Sequence, residues 1–187
     1  MTYSPLTSAA LMVQKLIRDA RGVAAIEMAF IFPVMVILYL GLIDITNFLQ
    51  VNRRVTLTAS TLADLVTQAD STITTADIDG IFESARAIFE PLSVEGISLS
   101  LWDFRMQDGS PTKIWEYTNG ASCGSEPTGG DEMESLMEDG NDIVIARVCY
   151  SQDAIIGTMF GSGTIELDDE LMLRPRQSTT LECTDCS

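Results

Sequence analysis

The sequence predicts an α+β fold in which a long amino-terminal helix crosses a membrane and continues into a small exported domain. Three observations predict it. Residues 23–45 form an almost uncharged apolar run, residues 46–69 and 75–89 have helical periodicity, and four later segments read as β-strands. The 187 residues suffice for one modest domain beyond the membrane segment.

The apolar run from Val23 to Ile45 predicts a transmembrane helix. At about 1.5 Å per residue it is about 34 Å long, which exceeds a hydrocarbon core of about 30 Å. The alternative, a cleaved signal peptide, would have a shorter apolar region followed closely by a small-residue cleavage site. Lys15, Arg18 and Arg21 all precede the span. We therefore expect residues 1–22 to be a basic cytoplasmic leader and residues 46–187 to be exported.

The charge is concentrated in the exported part. Residues 1–45 sum to zero, so the whole net charge of −16 belongs to residues 46–187. A domain this acidic is expected to repel nucleic acid and anionic lipid surfaces. The chain has no histidine, which excludes histidine triads and histidine metal sites. The usual near-neutral acid–base residue is therefore missing. We expect a non-enzymatic protein without a cofactor, a metal or a small-molecule substrate.

One charge inside the span requires an explanation. Asp44 is at the outer end, close to the interface, and Pro33 is tolerated in membrane helices. Glu27 lies at the inner edge of the apolar run, and snorkelling to the headgroups is the default interpretation. Cleavage between Gly22 and Val23 would instead create a positive amine. Glu27 would then neutralise the amine of a neighbouring chain, so that helix bundling makes both charges tolerable.

The segment from Arg18 to Pro33, followed by Gly41-Leu-Ile-Asp44, resembles the opening of TadE-like proteins, which are minor pseudopilins of the tight-adherence (Tad/Flp) type IV pilus system. The shared pattern is a basic stretch, a glycine, a short alanine-rich link to a glutamate, and an apolar helix containing proline and ending in Gly-x-x-Asp. The resemblance implies that a prepilin peptidase cuts after Gly22 and that Glu27 is the motif glutamate.

The resemblance also implies a location and partners. The chain would sit in the bacterial inner membrane with a periplasmic carboxyl-terminal domain, and it would assemble with other pilus or pseudopilin subunits. A weaker similarity, Arg174-Pro-Arg-Gln-Ser178, corresponds to the closing strand of such proteins.

The predicted domain begins with helices and continues as a sheet. An apolar stripe extends the membrane helix over residues 46–69, and Thr74 with Asp77 forms a predicted capping box before a helix at 75–89. The four predicted antiparallel strands are Val94–Trp102, Lys113–Tyr117, Asp142–Ser151 and Thr164–Leu173, with Asp108-Gly-Ser-Pro111 as the turn between the first two. We expect the helices to pack on one face of this sheet.

Residues 119–141 predict an acidic, glycine-rich loop with one helical turn. A calcium site over Glu138–Asp142 is the alternative, but its spacing departs from the EF-hand pattern. Asp168-Asp-Glu170 is interpreted as a turn or strand edge.

The four cysteines predict disulfides in an oxidising compartment, with three possible pairings. We favour Cys123–Cys149 and Cys183–Cys186; the alternative crosses the tail onto Cys123 or Cys149. Only one pair has zinc-like spacing, so zinc is set aside.

Three functions are compatible with the sequence. The first is a pseudopilin-like assembly protein. The second is a membrane-anchored thiol–disulfide oxidoreductase that uses Cys183 and Cys186, although Glu182 and Asp185 would raise their thiol pKa. The third is an anchored binding domain unrelated to pili.

Overall fold

The structure is a computed structural model that describes residues 21–90, 95–121, 123–127, 131–161 and 163–186. It divides into two compact units, Met1–Ile43 and Asp44–Ser187. Of the predicted leader, only residues 21 and 22 are among the described residues. We refer to residues 44–187 as the carboxyl-terminal domain.

The longest element is helix α1, Arg21–Thr67, which contains Pro33. It unites the predicted membrane helix and the predicted stripe, and it ends two residues before the predicted boundary. Thr67 is buried, and its hydroxyl bonds back to the carbonyl of Ala63 at 2.8 Å. Residues 22–39 are exposed throughout, and the helix is long and apolar enough to cross a membrane. Among the described residues, it is the one helix that could anchor the chain in a membrane.

The carboxyl-terminal domain contains the predicted four-stranded antiparallel sheet, in the order β3-β2-β4-β5. Its strands are β2 (Ile97–Gln107), β3 (Ser110–Asn119), β4 (Asp142–Asp153) and β5 (Thr164–Leu173). The second predicted helix is α2, Thr75–Arg86, continued by a 3₁₀ turn at Ala87–Phe89. The α+β prediction is confirmed.

The sheet is covered on both faces. On one face, side chains of α1 and α2 pack on the inward residues of the strands; the fully buried members include Val55, Leu62, Val66, Ile78, Phe82, Leu99, Leu101, Val144 and Ala146. On the other face a short helix α3, Asp131–Leu136, brings Met133 against Trp102, Phe104 and Ile145. Strand alternation explains the division, because neighbouring residues of β2 face opposite sides.

The helix α2 begins as predicted. Thr74 accepts a hydrogen bond from the backbone N–H of Asp77 at 3.2 Å, and Asp77 accepts one from the N–H of Thr74 at 3.1 Å. The reciprocal pair is a capping box, which satisfies two otherwise unpaired helix donors.

The β2–β3 turn is tighter than predicted. Gln107 pairs directly with Ser110, so that Asp108 and Gly109 alone form the loop. Both have positive φ, 54° and 77°, as a two-residue hairpin turn requires. Ser110 and Pro111 belong to β3, where the predicted turn had included them.

The domain also contains a two-stranded parallel sheet that was not predicted, in which β1 (Thr72–Ile73) pairs with β6 (Glu182–Cys183). Helix α4, Ile155–Phe160, was not predicted either. The prediction of a closing strand at Arg174–Ser178 is wrong, because this segment is irregular chain. Pro175 has no N–H for a strand ladder, and the N–H of Arg176 bonds to Thr67 O at 2.9 Å instead.

Candidate functional site

The predicted processing junction lies at the start of α1. Gly22 and Val23 both have helical backbone, and an added Cβ at Gly22 would meet nothing within 4 Å. The side chain of Val23 is 57% exposed. Folded structure therefore does not bury this peptide bond among the described residues.

Glu27 lies one helical turn after Val23 and is exposed on an otherwise apolar helix. No side chain or backbone group of the described part of the chain bonds to it. Since positions four apart share one face of a helix, Glu27 and the backbone nitrogen of Val23 lie along the same side of α1. A carboxylate near the start of a helix also interacts favourably with the helix dipole. The arrangement allows the carboxylate of Glu27 to form an ion pair with a cationic group of another molecule.

The other predicted membrane-motif residues have different surroundings. Pro33 is exposed inside the helix, and Gly41 is half-buried. Asp44 is half-buried in the carboxyl-terminal domain, where its Oδ1 accepts a hydrogen bond from the backbone N–H of Ile155 at 3.0 Å. Asp44 therefore holds the first residue of α4, a contact that its position in the sequence did not predict.

The upper part of α1 is a structural stem. Val51, Val55, Leu62 and Val66 are all at most 2% exposed, as the predicted stripe requires. Arg54, which lies beside this stripe, donates to the carbonyl oxygens of Ile88 at 2.9 Å and Glu90 at 2.6 Å. A guanidinium at these carbonyls caps the end of the 3₁₀ turn and ties α2 to α1.

The two disulfides are Cys123–Cys149 and Cys183–Cys186, the pairs that the sequence analysis favoured. The first fastens the loop after β3 to strand β4. Arg147 reinforces this fastening, because its Nη1 donates to Cys123 O at 3.2 Å and its Nε donates to Glu170 at 2.8 Å.

The second disulfide lies in the carboxyl-terminal tail. Cys183 ends β6, and Cys186 follows in non-helical backbone. A redox Cys-x-x-Cys normally starts a helix, whose dipole stabilises the thiolate, and this pair does not. Asp185, beside it, accepts bonds from the N–H and hydroxyl of Thr75 at 2.8 and 2.7 Å, and these bonds lower the pKa of Asp185. The geometry favours a structural bridge.

Neither predicted acidic cluster forms a ligand set. Within the described residues of Glu138–Asp142, Glu138 bonds to Asn141 and Arg174, whereas Asp142 turns into the domain and is fully buried. The acids of Asp168–Glu170 lie along β5. Here Glu170 pairs with Arg147.

A buried charged cluster, which was not predicted from the sequence, lies beneath the carboxyl-terminal tail. Asp103 and Asp142 are both fully buried, and Arg105 is bidentate to Asp142 at 2.6 and 2.9 Å. Asp142 also accepts from the N–H of Leu181 at 2.7 Å. Neither oxygen of Asp103 has a hydrogen-bond partner of good geometry. Burial, and then the nearby charge of Asp142, raise the pKa of Asp103 to about 9 despite the opposing charge of Arg105.

The cluster supports the tail over the end of the sheet. Leu181 is fully buried, and its carbonyl accepts a bond from the indole N–H of Trp115 at 2.8 Å. Thr179 O accepts a bond from the N–H of Asp142 at 2.9 Å. The tail therefore depends on Asp142 at two successive points, and the second disulfide lies just beyond them.

Comparison with known proteins gives one match. Residues 22–64 match a protein-family model described as TadE-like protein. The matched segment contains the predicted junction, the apolar helix, Glu27 and most of the stem. No curated protein and no solved structure matches the chain.

Proposed function

We propose that this chain, a TadE-like protein by its residues 22–64, is a non-enzymatic minor pseudopilin of a tight-adherence pilus assembly system. In this proposal α1 crosses the bacterial inner membrane with its start in the cytoplasm, and the carboxyl-terminal domain lies in the periplasm. The observation that carries the proposal is Glu27, a carboxylate within the TadE-like segment that has no partner among the described residues.

An unpaired carboxylate in an apolar helix is costly, about 2.5–3.5 kcal/mol near the middle of a span and less toward its edge. Pairing with the amine of Val23 in a neighbouring subunit removes part of that cost for both chains. The cost therefore favours assembled helices over separate ones. The same helix supplies the core of the carboxyl-terminal domain through residues 51–66, so that one element serves both membrane assembly and domain presentation.

The first prediction concerns the leader. We expect the membrane-extracted protein to begin at Val23, because the Gly22–Val23 bond matches the junction that a prepilin peptidase cuts. Intact mass measured with the peptidase co-expressed should lack residues 1–22. Gly22→Leu should retain them.

The matched control is Gly80→Leu. Both glycines are helical, and an added Cβ meets nothing within 4 Å at either position. Gly80→Leu should therefore leave processing intact. Retention of residues 1–22 in the unsubstituted protein, with active peptidase present, would refute the processed-pseudopilin proposal.

The second prediction concerns Glu27. Glu27→Gln keeps the size of the side chain and removes its charge, so we expect about tenfold less co-purification with pilus subunits, the equivalent of about 1.4 kcal/mol of lost pairing. Membrane insertion should be unchanged. The control is Glu134→Gln, an exposed acid of the carboxyl-terminal domain. Equal recovery of partners with Glu27→Gln and with the control would exclude the charge-pairing role.

A further inference from the structure

The segment from Ala154 to Gly163 differs in composition from the domain that contains it. It has ten successive uncharged residues, Ala-Ile-Ile-Gly-Thr-Met-Phe-Gly-Ser-Gly, whereas residues 46–187 carry the whole net charge of −16. Asp153 precedes it and Glu166 follows shortly after, and both are exposed. The uncharged run therefore extends from Ala154 through Ile165, with an acid on each side.

The segment is held at the point where the membrane span ends. Helix α4 begins at Ile155, whose N–H bonds to Asp44 at 3.0 Å. Asp44 is the last polar residue of the apolar run Val23–Ile45. Because Asp44 marks the end of the span, its bond to Ile155 places the start of α4 at the same depth as that end.

Apolar surface is exposed at this position. Ile45 is 59% exposed, Ile155 43% and Ile165 42%. An open apolar pocket of about 290 Å³ lies between the stem and the sheet edge; it is lined by Asp44, Ile45, Phe48, Gln152, Ala154 and Ile165. Clustered exposed apolar side chains on a protein surface usually mark a contact with a membrane or another molecule.

We propose that Ala154 and helix α4, together with Ile45 and Ile165, lie in the headgroup–acyl boundary of the leaflet in which the span ends. This is a second membrane contact, additional to α1, and Asp44 is the residue that positions it. Continuity with the span identifies lipid as the occupant. The segment has no lysine or arginine, so the contact is apolar rather than an attraction to anionic headgroups. The inference requires the membrane anchor but not a role in pili.

A lipid-quenching experiment tests the proposal. The variant Ile155→Trp, as the full chain at one copy per phosphatidylcholine nanodisc, is measured with lipids spin-labelled at shallow or deep acyl positions. The native residues Trp102 and Trp115 are only 5% and 3% exposed, so the unsubstituted protein supplies a low background. We expect severalfold stronger quenching of the introduced tryptophan by the shallow label than by the deep one.

The matched control is Leu136→Trp, because Leu136 is 44% exposed, close to the value for Ile155. The carbonyl oxygen of Leu136 accepts a hydrogen bond from Arg174, which directly follows the last residue of β5. Thr164 is the first residue of β5, so it lies about 30 Å away along the strand at about 3.3 Å per residue. Shallow-label quenching should be weak there. Ile165→Trp is a second reporter that leaves α4 unchanged.

Equal quenching at positions 136 and 155, or at 136 and 165, would overturn the proposal. So would protection of residues 155 and 165 that develops only when two copies share a membrane, because the occupant would then be a second chain. Failure of Ile155→Trp to fold transfers the decision to Ile165→Trp.

Discussion

Replacement of Asp142 with alanine is expected to destabilise the carboxyl-terminal domain by about 3–5 kcal/mol, the typical cost of removing one partner of a buried ion pair. Arg105, whose side chain is only 20% exposed, would lose both bonds of its bidentate pair. The buried N–H of Leu181 would lose its acceptor at 2.7 Å. The tail would therefore loosen as the domain weakens.

The measurement is urea unfolding of the full chain in nonionic detergent, monitored by tryptophan fluorescence. Trp115 suits this purpose because its indole bonds to Leu181 O, so that its emission reports on the tail. Asp142→Asn should recover part of the loss, since the amide oxygen can still accept from Leu181. The control is Glu138→Ala, which removes an ion pair with Arg174 whose side chains are 44% and 68% exposed. That pair is worth at most about 1 kcal/mol. A similar cost for Asp142→Ala and Glu138→Ala would contradict the role assigned to Asp142.

Most of the secondary structure was predictable because its signals are local. The length of an apolar run predicts a membrane span, and alternation of apolar and polar residues predicts a strand. The Thr74–Asp77 capping box lies within four residues. Boundaries were less predictable. The β2–β3 turn contains only Asp108 and Gly109, because the two strands remain paired as far as Gln107 and Ser110. The extent of this pairing depends on both strands and is not visible in either one alone.

The parts that were missed depend on contacts between distant residues. The β1–β6 pair joins residues 72–73 to 182–183, and two-residue strands have no periodicity to detect. One feature of the sequence does indicate the buried cluster of Asp103, Arg105 and Asp142. Asp103 continues the inward alternation of Leu99 and Leu101, so a charge occupies a position where the pattern requires an apolar side chain.

The candidate assembly site, Glu27, was predictable because it is a charged residue within an apolar helix. The same property means that its proposed role requires a charged partner. Glu27 is conspicuous in sequence because it interrupts an apolar run, and the structure finds it exposed. Its proposed partner belongs to another molecule. The sequence of one chain therefore predicts the charged residue, and its proposed partner is the amine of a second chain.

The second large effect has the opposite sign. Replacement of Asp103 with asparagine is expected to stabilise the domain at neutral pH. Asp103 is fully buried and has a pKa raised to about 9, against an ordinary value of 3.8. In the folded domain the carboxyl therefore stays protonated at pH 7, whereas in the unfolded chain it ionises freely. Asparagine is neutral in both states, so its burial does not depend on pH.

The sign follows from proton binding. Between pH 3.8 and about 9 the folded state binds the proton more tightly, so the free energy of unfolding falls as pH rises. The slope is about 1.4 kcal/mol per pH unit wherever the folded and unfolded chains differ by one bound proton. The contribution is fully present below pH 3.8. The advantage of Asp103→Asn should therefore be small near pH 4 and grow steadily toward pH 8.

Urea unfolding of the full chain at several pH values between 4 and 8 measures this difference. The matched control is Asp168→Asn, which makes the same chemical change at an exposed position on β5. It should shift stability by less than about 0.5 kcal/mol at every pH. Parallel pH profiles for Asp103→Asn and the unsubstituted protein would mean that Asp103 ionises in the folded domain. If the two pH profiles diverge as pH rises, Asp103 is buried as a neutral acid beneath the tail, and its burial lowers the stability of the domain at neutral pH.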